Sequence, residues 1–344
     1  MGFNISPFNQ QLLTTSFIAP VLPQQEHDIE GTATGSFTMR YNNTSLTITP
    51  DADGNWYYDF PNGTTLTSLQ QMFYDSNVSN VTSVSFKNTV DTSNVTDMSS
   101  MFNNCQKLTS IDLSNFDTSN VTDMSRMFNY CNNLTSIDLS NFDTSNVTDM
   151  SSMFYNCQSL TSLDVSNFDT SNVTDINSMF RDCYNLTSLD VSNFVTDNVT
   201  DMKLMFSNCY KLTSIDVSNF DTSNVTDMDS MFNGCSSLTS LDVSNFNTSN
   251  VTDMSWMFLN CRNFTSLDVS NFDTRNVTNM SFMFRGITGT IITNGSYFDT
   301  TQLTSPSSYN AILTSNRYVT VYYTPANWNS SIVSAFSDVN WVAV

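Results

Sequence analysis

Every cysteine in the chain lies 26 residues after the one before it: Cys105, Cys131, Cys157, Cys183, Cys209, Cys235 and Cys261. Written in rows of 26 from Asn94, the sequence gives seven full units ending at Arg275. The first unit reads NVTDMSSMFNNCQKLTSIDLSNFDTS. An eighth starts at Asn276 and decays after Phe284, and a degenerate unit, LTSLQQMF at 66–73, precedes the array. Fifteen of the 18 methionines fall in two columns of this grid. A period of this length means a solenoid, because one such unit cannot bury its apolar face alone and must stack on its neighbours.

The apolar pattern changes within each unit. Met98, Met101, Phe102, Cys105 and Leu108 follow the spacing of one face of a short helix, with Thr96 and Asp97 where an N-cap and a first-turn acid belong. Leu108, Ile111 and Leu113 follow the L-x-x-L-x-L spacing of a leucine-rich-repeat strand, and Asp117–Asn120 is a turn cluster leading into Val121. The expected fold is therefore α/β: a leucine-rich-repeat-like solenoid of about eight strand–turn–short-helix coils. Residues 1–64 read as an N-terminal arm and a β-rich attachment region, with strands over Gly35–Tyr41, Ser45–Thr49 and Asn55–Phe60 and a hairpin turn at Asp51–Gly54. Residues 65–93 read as a degenerate capping repeat, 94–285 as the solenoid and 286–344 as an α/β C-terminal cap. In that cap Arg317–Thr324 and Val339–Val344 are expected as strands and Pro325–Phe336 as a helix opened by Thr324.

Charge narrows the functions open to such a coil. The chain has 32 acidic and 11 basic residues, and of the net charge of −21 the seven full units carry −15. Nucleic acid and anionic membrane surfaces need clustered Lys and Arg, so neither is expected as a partner. With His27 the sole histidine, His-based metal sites and Ser–His or Cys–His nucleophiles are not expected either. No segment is apolar and long enough to insert in a bilayer, Leu12–Leu22 being short and broken by Pro20.

The grid L-T-S-[IL]-D-[LV]-S-N-F-D-T-S-N-V-T-D-M-x-x-M-F-x-x-C resembles the 26-residue-repeat class of BspA-like leucine-rich-repeat surface proteins over 94–285. The resemblance implies a non-catalytic role in adhesion or binding outside a cell. Its partner would be a host or cell-surface protein or glycan. The first six residues carry no basic n-region, and the first basic residue is Arg40. The expectation is either a mature form or a protein that reaches the outside without secretion. A bacteriophage virion component (tail, fibre or capsid decoration) contacting the host surface and other virion proteins would do the latter. A polysaccharide-active enzyme is a third reading, since parallel solenoids can present Asp pairs as acid and base. It would need a break in the repeat that sets two carboxylates apart, and the Asp columns repeat almost unchanged.

Three groups of side chains are candidates for function. The cysteine column occupies a core position and reads as a ladder of buried thiols. Asp112, Asp138, Asp164, Asp190, Asp216, Asp242 and Asp268 point outward from the strand, where like charges about 5 Å apart repel. Calcium would relieve that repulsion, and no other cofactor is expected. The third group is defined by variation between units. The strand-and-turn half hardly changes, whereas Arg126, Leu204, Trp256 and Phe282 between the methionines, and Tyr130, Tyr155, Tyr184 and Tyr210 around the cysteine, depart from the grid. Aromatic and Arg side chains favour interfaces, so this face is the expected contact surface, with Leu204, Trp256 and Phe282 as an apolar stripe.

Overall fold

The computed structural model describes residues 66–73, 82–86, 90–308, 312–313 and 319–344, together with strands β1 (Ile29–Gly31), β2 (Phe37–Tyr41), β3 (Thr44–Pro50) and β4 (Asn55–Asp59). The arm over the first 25 residues and the turn at Asp51–Gly54 lie outside the described residues. Within the array, successive coils are joined by backbone hydrogen bonds along the M-x-x-M-F stretch. The amides of Met98, Ser100, Phe102 and Asn104 donate to the carbonyls of Asp123, Ser125, Met127 and Asn129 at 2.7–2.9 Å. The amides between them close turns on their own coil, Met101 to Met98, Asn103 to Ser100 and Cys105 to Phe102, at 3.0–3.2 Å.

This stretch is a spiral of turns and not the short helix that its spacing predicts. A helix sends each amide back four residues along its own chain. Here alternate amides go to the neighbouring coil, and Ser100 and Asn104 take left-handed φ values of 56° and 67°. The left-handed pair recurs in every unit, from Arg126 and Tyr130 to Trp256 and Asn260. A helix of so few residues, rich in Ser and Asn, does not offset its nucleation cost, whereas lateral bonds to a repeated neighbour need none. The inward spacing is the same in both conformations, and Met98, Met101, Phe102 and Cys105 are all buried. The α/β expectation is corrected accordingly: among the described residues the one α-helix is α1 (Ser330–Ala335), outside the array.

The strand half also differs from expectation. β6 (Ser110–Ile111) and β7 (Ser266–Asp268) form at the two ends, and no strand is described between them. Amides that do bridge coils there are long: Thr187 to Thr161 at 3.2 Å, Thr213 to Thr187 at 3.3 Å. The coils are therefore held closest along the turn spiral and more loosely along the L-x-x-L-x-L edge.

Side chains repeat the lateral bonding. The buried Thr118 hydroxyl donates to the Asp143 carbonyl and accepts the Asp143 amide, both at 2.8 Å. Thr144, Thr222, Thr248 and Thr274 repeat this pair of bonds. Asn141 donates to the Leu113 and Phe116 carbonyls of the preceding coil, and Asn146 to that of Ser119. Each cysteine is a free, buried thiol, and the Cys131 sulfur donates to the Phe102 carbonyl. Inside, the phenylalanines stack coil on coil, with ring centroids 5.7 Å apart for Phe102–Phe128 and 5.6 Å for Phe128–Phe154.

At the N-terminal end β1 to β4 form an antiparallel meander, and β4 pairs in parallel with β5 (Ser83–Phe86), which pairs with β6. At the other end β7, β8 (Thr290–Thr293), β9 (Thr320–Tyr323) and β10 (Asn340–Ala343) form a parallel sheet. The coil bonding thus outlasts the sequence period. Asp299 accepts the Thr301 amide, Thr300 accepts the Asn329 amide, and the ring stack passes from Phe284 through Phe298 to Trp328. In place of one helix opened by Thr324, a 3-10 turn at Pro325–Asn327 precedes α1, and the Asn329 side chain caps α1 by accepting the Ser331 amide.

Two outcomes test this bonding. Thr222→Val removes the buried hydroxyl that pairs with both the carbonyl and the amide of Asn247, so denaturant unfolding should show a loss of about 1–3 kcal/mol, largely restored by Thr222→Ser. Burial pushes the Cys105, Cys183 and Cys235 thiols up to about 12, so the native protein at pH 8 should leave a thiol reagent unconsumed until it is unfolded.

Candidate functional site

The aspartates of the array serve one local purpose. Asp97 accepts the Ser99 amide at 2.8 Å, Asp112 the Ser114 amide at 3.0 Å and Asp117 the Ser119 amide at 3.0 Å. Each closes an Asx turn two residues long, and the columns repeat it at Asp138, Asp164, Asp190, Asp216, Asp242 and Asp268. The strand column therefore has a structural role that its outward position concealed. Hydrogen bonds from the Ser114 hydroxyl and amide hold the Asp112 carboxyl below its ordinary range, and Asp164, Asp190, Asp216 and Asp242 are held down in the same way. Among the described residues no three His, Cys, Asp or Glu side chains cluster closely enough to hold a metal ion.

The turn spiral presents the remaining face. Its first left-handed position is serine in Ser100, Ser152, Ser178 and Ser230, but Arg126, Leu204, Trp256 and Phe282 adopt the same φ of 56–61°. Bulky side chains in this region cost about 1–2 kcal/mol each, so four of them in one column mark a place where side-chain chemistry outweighs backbone comfort.

All eight candidates of the contact surface sit along this spiral or the corner after it, six of them in three pairs. Tyr130 and Tyr155 meet edge to face with hydroxyls 3.1 Å apart, and the Arg181 guanidinium lies 4.9 Å from the Tyr155 ring centre. Burial, then the Tyr130 hydroxyl, pushes the Tyr155 phenol up to about 12. Tyr184 and Tyr210 stack at 5.0 Å, and Tyr210 leans over Gly234, where a Cβ would approach its ring at 3.1 Å. Trp256, 43% exposed, meets Phe282 edge to face at 5.4 Å, and Arg285 lies over the other ring of the pair. Leu204 and Trp256 line one shallow depression, and Arg126 and Tyr130 line another. The structure brings the candidates together in these clusters and does not join them into a single pocket.

Two features went unread in the sequence. The first is charge segregation. Seven of the eight bases between residues 94 and 285, Lys107, Arg126, Arg181, Lys203, Lys211, Arg262 and Arg285, fall on the spiral and the corner after it, where Asp182 and Asp229 join the Asp97 column. The other acids lie in the Asx columns or at Asp197. The bases of an acidic chain thus collect on one face, beside the Asp97 column, and Lys203 pairs there with Asp229. The second is the polar lining of the larger depression, where Arg181, Ser207, Asn208 and Asp229 surround Leu204 and Trp256. Asp229 departs from the residues common at its grid position, and that departure was the available signal.

A family model described as "Mycoplasma protein of unknown function, DUF285" matches residues 67–188, 138–216 and 211–311. The chain belongs to this family. The DUF285 match takes in the whole array, including the columns that carry the resemblance to BspA-like repeats. No curated protein matches the chain. Among solved structures, a leucine rich cell surface protein from Faecalibacterium prausnitzii A2-165 is similar over 87% of this chain and 92% of its own, at 15% identity and a TM-score of 0.33.

The Asp97 column is half-buried, and burial raises the Asp123, Asp175 and Asp227 carboxyls above their ordinary range. A raised folded-state value means that the ionised form opposes folding at neutral pH and that this opposition fades as pH falls. Asn279 shows that an amide fits the column, accepting the Ser281 amide and donating to Asp253. Asp123→Asn should therefore raise Tm at pH 7, with the gain shrinking toward pH 3 in a thermal melt series. Arg126→Gly, at an exposed left-handed position, should stabilise the protein by about 0.5–1 kcal/mol in the same assay.

Proposed function

We propose that the protein is a non-catalytic binding protein displayed at a surface, and that the turn-spiral face is what it presents to a host protein or glycan. The observation that carries this reading is the left-handed column in which Arg126, Leu204, Trp256 and Phe282 replace serine. Those substitutions oppose the stability of the turn and fall outside the repeated Thr and Asn ladders. They also fall where tyrosines pair and where the bases of an acidic chain collect. Aromatic and Arg groups held rigidly on a stacked backbone supply contact area at low entropic cost. The surface placement follows the resemblance of the repeat to BspA-like surface proteins.

The non-catalytic part of the reading rests on the carboxylates. Those of each Asx column share one environment, and the two off-column acids of the turn face are already engaged. Asp182 accepts the Asn208 amide group at 2.7 Å, and Asp229 pairs with Lys203 at 2.9 Å. A general acid and base would need two carboxyls of different character facing one cleft, and the two depressions described hold a single carboxylate between them, Asp229.

The test is attachment of beads coated with the full chain to cultured epithelial cells. A variant carrying Tyr155→Ala, Tyr210→Ala and Trp256→Ala should attach at least tenfold less than the parent. One carrying Asp138→Asn, Asp164→Asn and Asp190→Asn on the opposite edge should attach equally well. Equal loss in both, or none in either, would remove the turn face as the contact surface.

A further inference from the structure

The larger depression on the turn face is more specific than the face as a whole. It is an open hollow of about 510 Å³ running across the coils that contain Arg181, Ser207, Asp229 and Trp256. Its apolar part is Leu204 and the exposed indole of Trp256, both on left-handed backbone. Its polar part includes two groups that find no hydrogen-bond partner within the protein: the hydroxyl of Ser207, whose side chain is 1% exposed, and the Nε–H of Arg181. Arg181 Nε lies 3.7 Å from Asp182, too far for a hydrogen bond. A buried hydroxyl without a partner is uncommon and costs stability, so its position beside an exposed indole calls for an explanation.

We propose that this depression is a saccharide site, in which one pyranose ring of a glycan stacks on Trp256 and its hydroxyls complete the bonding of Ser207 and Arg181. The inference rests on the turn face being the contact surface and names what one part of it takes. A pyranose ring offers a face of C–H groups that an indole attracts and a rim of hydroxyls that both donate and accept. The depression matches that division. The Ser207 hydroxyl can donate or accept, the Arg181 Nε–H donates, and the Asn208 side chain and the Asp229 carboxylate stand on the same wall. Its charges are balanced, because Asp229 is paired with Lys203 and Arg181 stands beside Asp182. A balanced wall around an aromatic platform suits a hydroxyl-rich ring better than a phosphate or an acidic peptide. The hollow is shallow and open along the solenoid, so it would take a ring within a chain as readily as one at its end.

The experiment is binding of the full-length protein to an array of immobilised oligosaccharides with neutral and acidic arms, with melting temperatures measured beside it. The parent should bind a subset of the glycans. Trp256→Ala should lower that binding at least tenfold, and Trp256→Phe should keep part of it. Ser207→Ala should lower it at least threefold while leaving Tm unchanged or raised, since the hydroxyl it removes makes no bond within the fold. Asp164→Asn, in the strand Asx column and outside the lining of the depression, should bind as the parent does. Binding confined to one arm fixes whether the ring is neutral or acidic, and either result upholds the site. Glycan binding unaffected by both Trp256→Ala and Ser207→Ala would overturn it. A blank array with epithelial attachment still lost in Trp256→Ala would overturn the saccharide site and keep the contact face, with a protein as its partner. A blank array with attachment indifferent to Trp256→Ala would overturn both.

Discussion

The hydrogen bond from an amide on one coil to a carbonyl on the next is the constraint from which the rest of the structure follows. It fixes the coil length, because a residue can meet its counterpart only if every coil returns the chain to the same place. It also explains the polar half of the repeat. Thr118 completes both backbone groups of Asp143, Asn141 and Asn146 reach carbonyls of the preceding coil, and Asp97, Asp112 and Asp117 hold the turns between. A solenoid with little regular strand must satisfy its buried backbone by side chains, and Asp, Asn, Ser and Thr are short enough to do it. The acidity of the chain is in the main a by-product of this requirement.

Much of the fold was legible in the sequence. The period, the inward columns of Val, Met, Phe, Cys and Leu, and the positions of the turns all follow from spacing, since burial depends on which side chains point inward. The local conformation was not. An i, i+3, i+4, i+7 pattern serves a helix and a spiral of turns equally, and only the hydrogen-bond partner distinguishes them. Ser100 and Asn104 at the left-handed positions were the sign, Asn being at home there and Ser unlikely to sit mid-helix. The strand aspartates were misread for a related reason. An Asx turn is a bond within two residues, invisible to a reading that asks only whether a side chain faces inward or outward. The C-terminal coils escaped notice because Thr300 and Asn329 keep the bonding but abandon the spacing.

The candidate site was legible in part. Variation between units picked out Trp256 and the tyrosines, because positions whose side chains bond the next coil's backbone tolerate little change, whereas the spiral is joined by its own amides. Ser207 was passed over, since serine among so many serines carries no contrast; its significance lies in a missing partner that only coordinates reveal. The same logic orders the whole molecule. Where a side chain completes a hydrogen bond to the next coil, sequence is held to the grid, and on the spiral, where backbone amides do the joining, side chains differ from coil to coil.

Because the bonds that join coils run along the solenoid axis, they also govern how the molecule answers to force. Tension between its two ends loads one interface at a time, as in opening a zip, and does not shear many bonds together. Each interface that opens frees one coil of 26 residues, lengthening the chain by roughly 80–90 Å as roughly 4.8 Å of axial rise becomes extended backbone. A chain of nearly identical coils gives nearly identical steps. If one end is fixed and the other face is attached, the array works as an extensible tether that yields in equal increments and re-stacks on the coil still standing.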